Sequence, residues 1–167
     1  IRAFNYLENK ASQIYCEKYV EDALRMEYSY AFAEKKYPGA PEWDVHIIDE
    51  NPFSINGVEI IPIRGMHYKL PVLGYRFGNI AYCTDMNHIQ DEEFEKLKGL
   101  DHFVINCVKY GKHISHYSLE EAVAVAQKVG AKHTWLTHIS HQLPCYETLA
   151  AELPAGILPA YDGLTIL

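Results

Sequence analysis

The sequence predicts an α/β fold with a β-meander and a strand–helix–strand crossover, and three observations support this. Runs of apolar, β-prone residues recur along the 167-residue chain and end in turn residues or in His and Asp. A strand, helix and strand succession over residues 102–137 has the form of a parallel crossover. The composition, 49% apolar and 22% charged, is that of an ordinary globular protein. At this length we expect residues 1–167 to form a single domain.

The first fifty residues are predicted to be mainly helical. Residues 1–10 read as the tail of a helix followed by a polar turn, and residues 13–16 as a short strand. From 17 to about 36, apolar residues recur at helical spacing, which predicts one amphipathic helix that stops before Pro38 and Gly39. A strand over residues 43–49 follows.

The middle of the chain predicts a β-meander. Asn56–Gly57 is a hairpin signal that leads into a strand at 58–63. Two further strands, at 72–77 and 80–83, are joined by a tight turn at Gly78–Asn79. A short charged helix at 91–98 then precedes a buried strand at 102–108.

The helix that follows residue 117 has the strongest local signals. Ser118 is the predicted N-cap, Glu121 completes a capping box, and Gly130 ends the helix. A strand at 132–137 follows. The remainder is predicted to hold a helix at 146–152, a strand at 157–160 and a turn at Asp162–Gly163, where we prefer a turn role for Asp162 over a role as a metal ligand.

Charge and composition exclude several classes of function. The formal net charge of -7 argues against nucleic-acid binding by a broad basic surface. No apolar run approaches the roughly 20 residues of a membrane span, and we expect a cytoplasmic protein with no membrane partner. Four scattered cysteines form no C-x-x-C pair, so we interpret Cys83 and Cys107 as buried free thiols.

Histidine or aspartate stands where several of the predicted strands end. His67, Asp85, His116 and His138 follow apolar runs in this way, and His141 lies three residues beyond His138. Alternatively, these are strand-end side chains bonded to backbone, and His116 is a solvated loop residue. For the other histidines we expect structural or surface roles, with His113 the least secure because it shares a loop with His116: His46, His88, His102, His113 and His133.

Imidazole nitrogens and a carboxylate are ligands that zinc, manganese and iron accept. A carboxylate such as Asp85 can bridge two ions about 3.5–4 Å apart. Three ligands are too few for two ions. A dinuclear site would therefore need ligands from elsewhere.

The order of motifs resembles the C-terminal half of a metallo-β-lactamase superfamily hydrolase, in particular its phosphoribosyl cyclic phosphodiesterase-like branch. The motifs are Met66-His67, Cys83-Thr84-Asp85, the T-H-I-S-H of residues 137–141 and the Y-D-G of residues 161–163. The H-x-H-x-D-H motif of that family is absent. The resemblance therefore implies an α/β fold of the metallo-β-lactamase αββα sandwich type, represented here by an incomplete, C-terminal part.

The same resemblance implies roles for individual residues. His67 would bind a first metal ion, Asp85 would bridge, His138 would bind a second ion, His116 would be catalytic by protonating the leaving oxygen, and His141 would contact the phosphate or support a ligand. The implied cofactors are two divalent ions, zinc or manganese, in the full-length protein, with partial or no occupancy in this chain.

The implied function is hydrolysis of a small phosphodiester by a metal-bridged hydroxide. Alternatives are a nuclease, a thioester or lactone hydrolase of the same fold, or a catalytically incomplete fragment that acts as a non-enzymatic module. Nucleic acid is the less favoured partner because the chain is acidic. An incomplete sandwich exposes sheet edges, so we also expect a homo-oligomer.

Overall fold

The computed structural model describes residues 1–166 of the chain. They form two compact units, Ile1–Asn51 and a second unit that begins at Pro52. All of the histidines and carboxylates predicted to act in the site belong to the second unit.

The first unit contains a two-stranded parallel sheet and three short helices. Its elements are α1 (Arg2–Glu8), β1 (Ser12–Cys16), α2 (Lys18–Glu27), α3 (Ser29–Phe32) and β2 (Trp43–Ile47), with β1 paired to β2. The single helix predicted over 17–36 is wrong. The helix breaks at Tyr28, whose φ of -116° and ψ of 41° lie outside the helical region, and the Tyr28 ring packs edge-on against Trp43 at 5.5 Å. Packing of this aromatic pair has overridden the local helical pattern.

The second unit contains an eight-stranded mixed sheet. Its elements are β3 (Phe53–Ile55), β4 (Val58–His67), β5 (Leu70–Phe77), β6 (Ile80–Cys83), β7 (His88–Ile89), a 3-10 helix (Asp91–Leu97), β8 (His102–Asn106), α4 (Leu119–Val129), β9 (His133–Thr137), α5 (Tyr146–Glu152) and β10 (Ile157–Pro159). The meander and the later strands and helices were predicted close to these bounds. The segment predicted as a charged helix adopts the tighter 3-10 form.

The sheet combines an antiparallel part with a parallel part. The strand order is β10-β9-β8-β6-β5-β4-β3, and β7 pairs with β4. Neighbours from β3 to β6 are antiparallel, whereas β6, β8, β9 and β10 run parallel to one another. Since β4 and β6 are both antiparallel to β5, β4 points the same way as β6, β8 and β9. The carboxyl ends of these four strands therefore lie along one edge of the sheet.

Tight turns and a well-capped helix set this geometry. Asn56 and Gly57 both have positive φ, 51° and 81°, as the two-residue hairpin turn between β3 and β4 requires. Ser118 and Glu121 form both hydrogen bonds of the predicted capping box, and Gly130 ends α4 in the left-handed region. The crossover predicted for residues 102–137 is confirmed as β8, α4 and β9.

One apolar core lies behind the site. It is formed by buried residues of β4, β6, β8, β9, α4 and the 3-10 helix, among them Ile63, Phe103, Ile105, Ala122 and Leu136. The expectation of buried, free Cys83 and Cys107 is confirmed. Burial raises the pKa of each thiol to about 12, so neither is a nucleophile at neutral pH.

Candidate metal centre

Four of the side chains predicted from the sequence meet at the carboxyl edge of the sheet. His67 ends β4, Asp85 lies two residues after β6, His116 is in the loop after β8, and His138 directly follows β9. One ligand atom from each of His67, Asp85 and His116 lies within 4.8 Å of the other two. A second triplet is formed by Asp85, His116 and His138. The two triplets share Asp85 and His116.

In the second triplet all three ligand atoms make short contacts with one another. His116 Nε2 lies 3.3 Å from Asp85 Oδ1 and 3.1 Å from His138 Nε2, and His138 Nε2 lies 3.3 Å from the same carboxylate oxygen. Metal–nitrogen and metal–oxygen bonds of about 2.0–2.1 Å in a tetrahedral site place neighbouring ligand atoms about 3.3 Å apart. The three atoms therefore have the identity and the spacing of ligands to a divalent transition metal ion.

Hydrogen bonding alone also suits some of these distances, because an imidazolium beside a carboxylate forms such a contact. Hydrogen bonding accounts less well for the 3.1 Å between His116 Nε2 and His138 Nε2, because one of these two nitrogens must then be protonated and point its N–H at the other. A cation between the three atoms uses the lone pair of each. The donor set thus fits a metal ion, and it includes His116 as well as the ligands expected from the sequence.

The backbone at the site adopts conformations that are rare outside glycine. Within residues 1–166, five non-glycine residues have positive φ. Two are turn asparagines, and the other three are Asp85 (56°), His138 (58°) and Tyr68 (57°), which follows His67. The left-handed region costs an L-residue about 1–2 kcal/mol. Such conformations cluster at functional sites, and two of the predicted ligands adopt them.

A set of hydrogen bonds, two of them between the Asn87 side chain and backbone groups, joins the loops behind the ligands. Asn87 accepts a hydrogen bond from the Tyr68 N–H at 3.0 Å and donates to the Ile114 carbonyl at 3.2 Å. The Tyr117 N–H donates to the carbonyl of Met86 at 3.1 Å. The loops that carry His67, Asp85 and His116 are thereby tied together.

Asn106 is a buried polar residue at the end of β8. Its side chain is fully buried, and its Oδ1 accepts the Met86 N–H at 3.0 Å, directly after Asp85. Its Nδ2 has no hydrogen-bond partner within residues 1–166. Sequence reasoning missed this residue, because one Asn inside an apolar run looks like an ordinary strand position.

The electrostatics of the site stabilise a charged carboxylate and a neutral imidazole. Burial raises the pKa of Asp85, but the His116 hydrogen bond and the charge of His138 outweigh it, so the pKa lies below its ordinary value. Burial lowers the pKa of His116, the Asp85 hydrogen bond opposes this, and His138 and His67 add to the lowering. Ionised Asp85 and neutral His116 are the protonation states that a metal site needs.

Two cavities flank the cluster. One, of about 520 Å³, lies on the His67 side and is lined by His67, Tyr68, Lys69, Leu70, Ile114 and Ser115. The other, of about 580 Å³, lies on the His138 side and is lined by Thr137, His138, Ile139, Ala160, Tyr161 and Asp162. Asp162 forms the predicted turn with Gly163, and it lines this second cavity.

Two histidines have environments that differ from simple expectation. His141 is exposed, and no hydrogen bond or ion pair within residues 1–166 joins it to the cluster. Its predicted role beside the phosphate stays a prediction. His113, for which we expected a structural or surface role, instead has its Nδ1 atom 3.3 Å from His116 Nδ1. The only sequence signal was that both histidines share one loop.

A sequence profile described as the Beta-lactamase superfamily domain matches residues 1–139. The chain belongs to the beta-lactamase superfamily. The prediction of this superfamily from the T-H-I-S-H and Y-D-G motifs is therefore confirmed, and so is the α/β fold class.

Solved structures share the fold of this chain. A diphosphatase from the PhnP family is 35% identical, with a TM-score of 0.84 over 93% of this chain and 57% of that one. Human tRNase Z, short form, is 16% identical, with a TM-score of 0.68 over 96% of this chain and 69% of that one. Zn²⁺-bound PqqB from Methylobacterium extorquens is 14% identical, with a TM-score of 0.68 over 95% and 66% of the two chains. The last two share the fold.

A segment similar to this chain also occurs inside a longer protein. An Octanoyltransferase of Porphyromonas gingivalis is 36% identical over 153 residues, which are 90% of this chain and 31% of that protein. This chain therefore spans about a third of that relative and 57% of the diphosphatase. Among the helices of residues 1–166, none has the length and apolar character needed to cross a membrane.

Proposed function

We propose that this chain is part of a metal-dependent phosphodiesterase of the beta-lactamase superfamily. The observation that carries the proposal is the convergence of Asp85, His116 and His138 at 3.1–3.3 Å at one sheet edge. The 35% identity to a diphosphatase of the PhnP family favours phosphate chemistry over other reactions of the fold. The two flanking cavities leave room for the two substituents of a diester.

In this proposal His67, Asp85 and His138 would hold divalent ions. When bound, such ions would activate a water molecule and neutralise charge on the phosphate. Zinc and manganese both accept this donor set. Ligands in addition to these three are required if two ions are held.

The chain's own residues position the substrate and move a proton. Asp85 is kept ionised by its two histidine neighbours and is held by the Thr84 hydroxyl, which donates to Oδ2 at 3.2 Å. His116, 13% exposed, sits at the centre of the cluster with Nε2 facing the other ligand atoms. A proton taken up at this Nε2 is delivered to the leaving oxygen of the diester. General acid catalysis of this kind contributes about 10²- to 10⁴-fold to a rate.

The direct test is hydrolysis of bis-p-nitrophenyl phosphate by the full-length protein with added Mn²⁺ or Zn²⁺. We expect turnover that requires the metal and falls at least about 10²-fold in His116→Gln. Metal content, measured by elemental analysis, should persist in His116→Gln and fall in Asp85→Asn. If His116→Gln loses the metal as well, His116 is a ligand and the proton-transfer role is wrong.

A matched control lies on the same strand. His133 is the first residue of β9 and His138 directly follows its last residue, and both are exposed. We expect His138→Gln to lose metal-dependent turnover and His133→Gln to retain it. Absence of metal-dependent diester hydrolysis, combined with hydrolysis of a thioester or lactone, would reject the phosphodiesterase proposal in favour of that chemistry.

We do not extend octanoyl transfer to this chain, because the similarity covers 31% of the protein that carries that name. The possibility of a non-enzymatic module is tested by the same metal analysis. Binding of two equivalents of transition metal by this 167-residue chain would reject it.

A further inference from the structure

The cavity on the His67 side of the cluster has walls of exposed apolar side chains. Tyr68, Leu70 and Ile114 line it, and they are 51%, 49% and 66% exposed. Apolar side chains that stand singly on a protein surface are ordinary, whereas these three surround one hollow of about 520 Å³. Cavities with apolar walls beside a few polar groups are the usual binding sites for small molecules. This cavity therefore offers a surface for the apolar part of a ligand.

One side chain fixes the separation of the cavity walls. Tyr68 lies in the turn between β4 and β5, and Ile114 lies in the loop between β8 and α4. Asn87 joins the two, because its Oδ1 accepts the Tyr68 N–H at 3.0 Å and its Nδ2 donates to the Ile114 carbonyl at 3.2 Å. Tyr68 has a φ of 57°, and a non-glycine residue keeps this conformation only where its surroundings fix it. The cavity is thus formed before a ligand binds, which lowers the cost of binding.

The same cavity continues directly from the candidate metal centre. His67 lines it, and one ligand atom of His67 lies within 4.8 Å of ligand atoms of Asp85 and His116. Ser115, which precedes His116 in the chain, lines it as well. A phosphate held at the cluster would therefore extend one of its substituents between the apolar walls.

The charged residues that line the two cavities differ in sign. Asp162 lines the cavity on the His138 side. A ring packed against its carboxylate would displace water without replacing the hydrogen bonds of that water, which costs free energy. Lys69 lines the cavity on the His67 side, and its Nζ lies 5.3 Å from the centroid of the Tyr68 ring. A cation so placed also attracts the face of a second aromatic ring, so an aromatic group is favoured on this side.

We propose that the cavity on the His67 side is the subsite for an aromatic substituent of the phosphodiester substrate. The inference rests on the proposed function for the position of the phosphate, and it adds the class of the substituent and the side on which the substituent lies. Tyr68, Leu70 and Ile114 are then specificity-determining residues, since they contact the substituent and none of the reacting atoms. Asn87 holds their two segments in place.

Binding of two phosphonates measures this preference without turnover. Phenylphosphonate and methylphosphonate carry the same phosphonate group, so the ratio of their affinities for the full-length protein loaded with Zn²⁺ isolates the organic group. We expect calorimetric titration to show phenylphosphonate binding at least about 10-fold more tightly, because a single methylene in an apolar pocket is already worth about 10-fold. Equal affinities would overturn the proposal.

Variants of Ile114 locate the ring. Ile114 is 66% exposed, so a change of its side chain should leave the fold intact. Ile114→Ser removes part of the apolar wall and should reduce the affinity ratio at least about 3-fold, whereas Ile114→Leu keeps an apolar wall and should preserve the ratio. Val58→Ser, at the exposed first residue of β4, is the control and should leave the ratio unchanged. A ratio that responds to Ile139→Ser, in the cavity on the other side, and not to Ile114→Ser would contradict the assignment.

A second measurement separates failure of this inference from failure of the proposed function. Phenol contains no phosphorus, so its binding in the cavity needs neither a metal nor a phosphate site. We expect phenol at millimolar concentration to shift the NMR methyl signals of Leu70 and Ile114 in the metal-free protein and to leave that of Ile139 unchanged. Absence of these shifts would overturn the inference. The expected shifts, combined with no binding of either phosphonate, would reject the proposed function alone.

Discussion

Asn106 offers a test of how the backbone at Asp85 is held. The perturbation is Asn106→Ala, which removes the acceptor of the Met86 N–H. That N–H is buried and directly follows Asp85, which has a φ of 56°. We expect the loop to lose part of the support for its left-handed conformation. The consequence should be a weaker metal site as well as a less stable fold.

The loss of fold stability and the loss of metal affinity can be estimated separately. A buried N–H left without a partner costs about 1–3 kcal/mol. The substitution also removes the partnerless Nδ2 of Asn106, so the net loss in the free energy of unfolding should lie near the lower end, about 1 kcal/mol. Relaxation of Asp85 out of the left-handed region is favoured by about 1–2 kcal/mol. If the carboxylate leaves its position, that amount corresponds to roughly a 5- to 30-fold loss of metal affinity.

Urea unfolding followed by circular dichroism gives the first quantity, and calorimetric titration with Zn²⁺ gives the second. Thr134→Val is the control, since Thr134 is also a buried polar residue of the sheet and lies at the opposite end of β9 from His138. We expect the control to keep its Zn²⁺ affinity. Equal affinity in Asn106→Ala and Thr134→Val would refute the reasoning.

Three further predictions concern the scaffold. In Gly74→Ala the new Cβ would stand 2.6 Å from the Cys83 Sγ and 2.9 Å from a β6 carbonyl. We therefore expect the free energy of unfolding, measured in urea, to fall by about 1–3 kcal/mol. An unchanged urea midpoint would contradict this close packing. Cys145 is exposed, whereas the other three thiols are buried, and burial raises the pKa of the Cys83 thiol to about 12. A disulfide reagent should therefore label one thiol rapidly in the native chain and four after unfolding. Rapid labelling of more than one thiol in the native chain would contradict this prediction. The hydrogen bond and ion pair with Lys132 lower the pKa of Asp101, so this carboxyl stabilises the fold above its unfolded pKa of about 3.8. That stability is lost as the pH falls through the lower pKa of the folded state. Asp101→Asn should make the free energy of unfolding depend less on pH in this acid range, and an unchanged dependence would rule out the effect.

Much of the site was accessible from the sequence because strand ends are marked by local patterns. An apolar run followed by His or Asp fixes where the strand stops, and the direction of each strand decides which edge receives the side chain. His67, Asp85 and His138 were located in this way. The capping box of Ser118 likewise fixed the start of α4, and hence the length of the loop that carries His116.

What the sequence did not predict depends on contacts between distant segments. The left-handed φ of Asp85 and His138 leaves no trace in a pattern of apolar and polar residues, because that pattern reports burial and not backbone conformation. The contact of His113 with His116 depends on the path of one loop. The break of the helix at Tyr28 depends on Trp43, which lies in another element. The single domain, the homo-oligomer and the role of His141 stay predictions.

The shared direction of β4, β6, β8 and β9 has a consequence for how the protein reaches its native state. The β4–β5 hairpin is a local pairing, whereas β6–β8 and β8–β9 are parallel pairings that require crossover connections and close slowly. His67 therefore reaches its final surroundings only when the last parallel pairing delivers His138. The rate at which a refolding chain acquires the ability to bind Zn²⁺ should follow this slowest step and lag behind the formation of secondary structure.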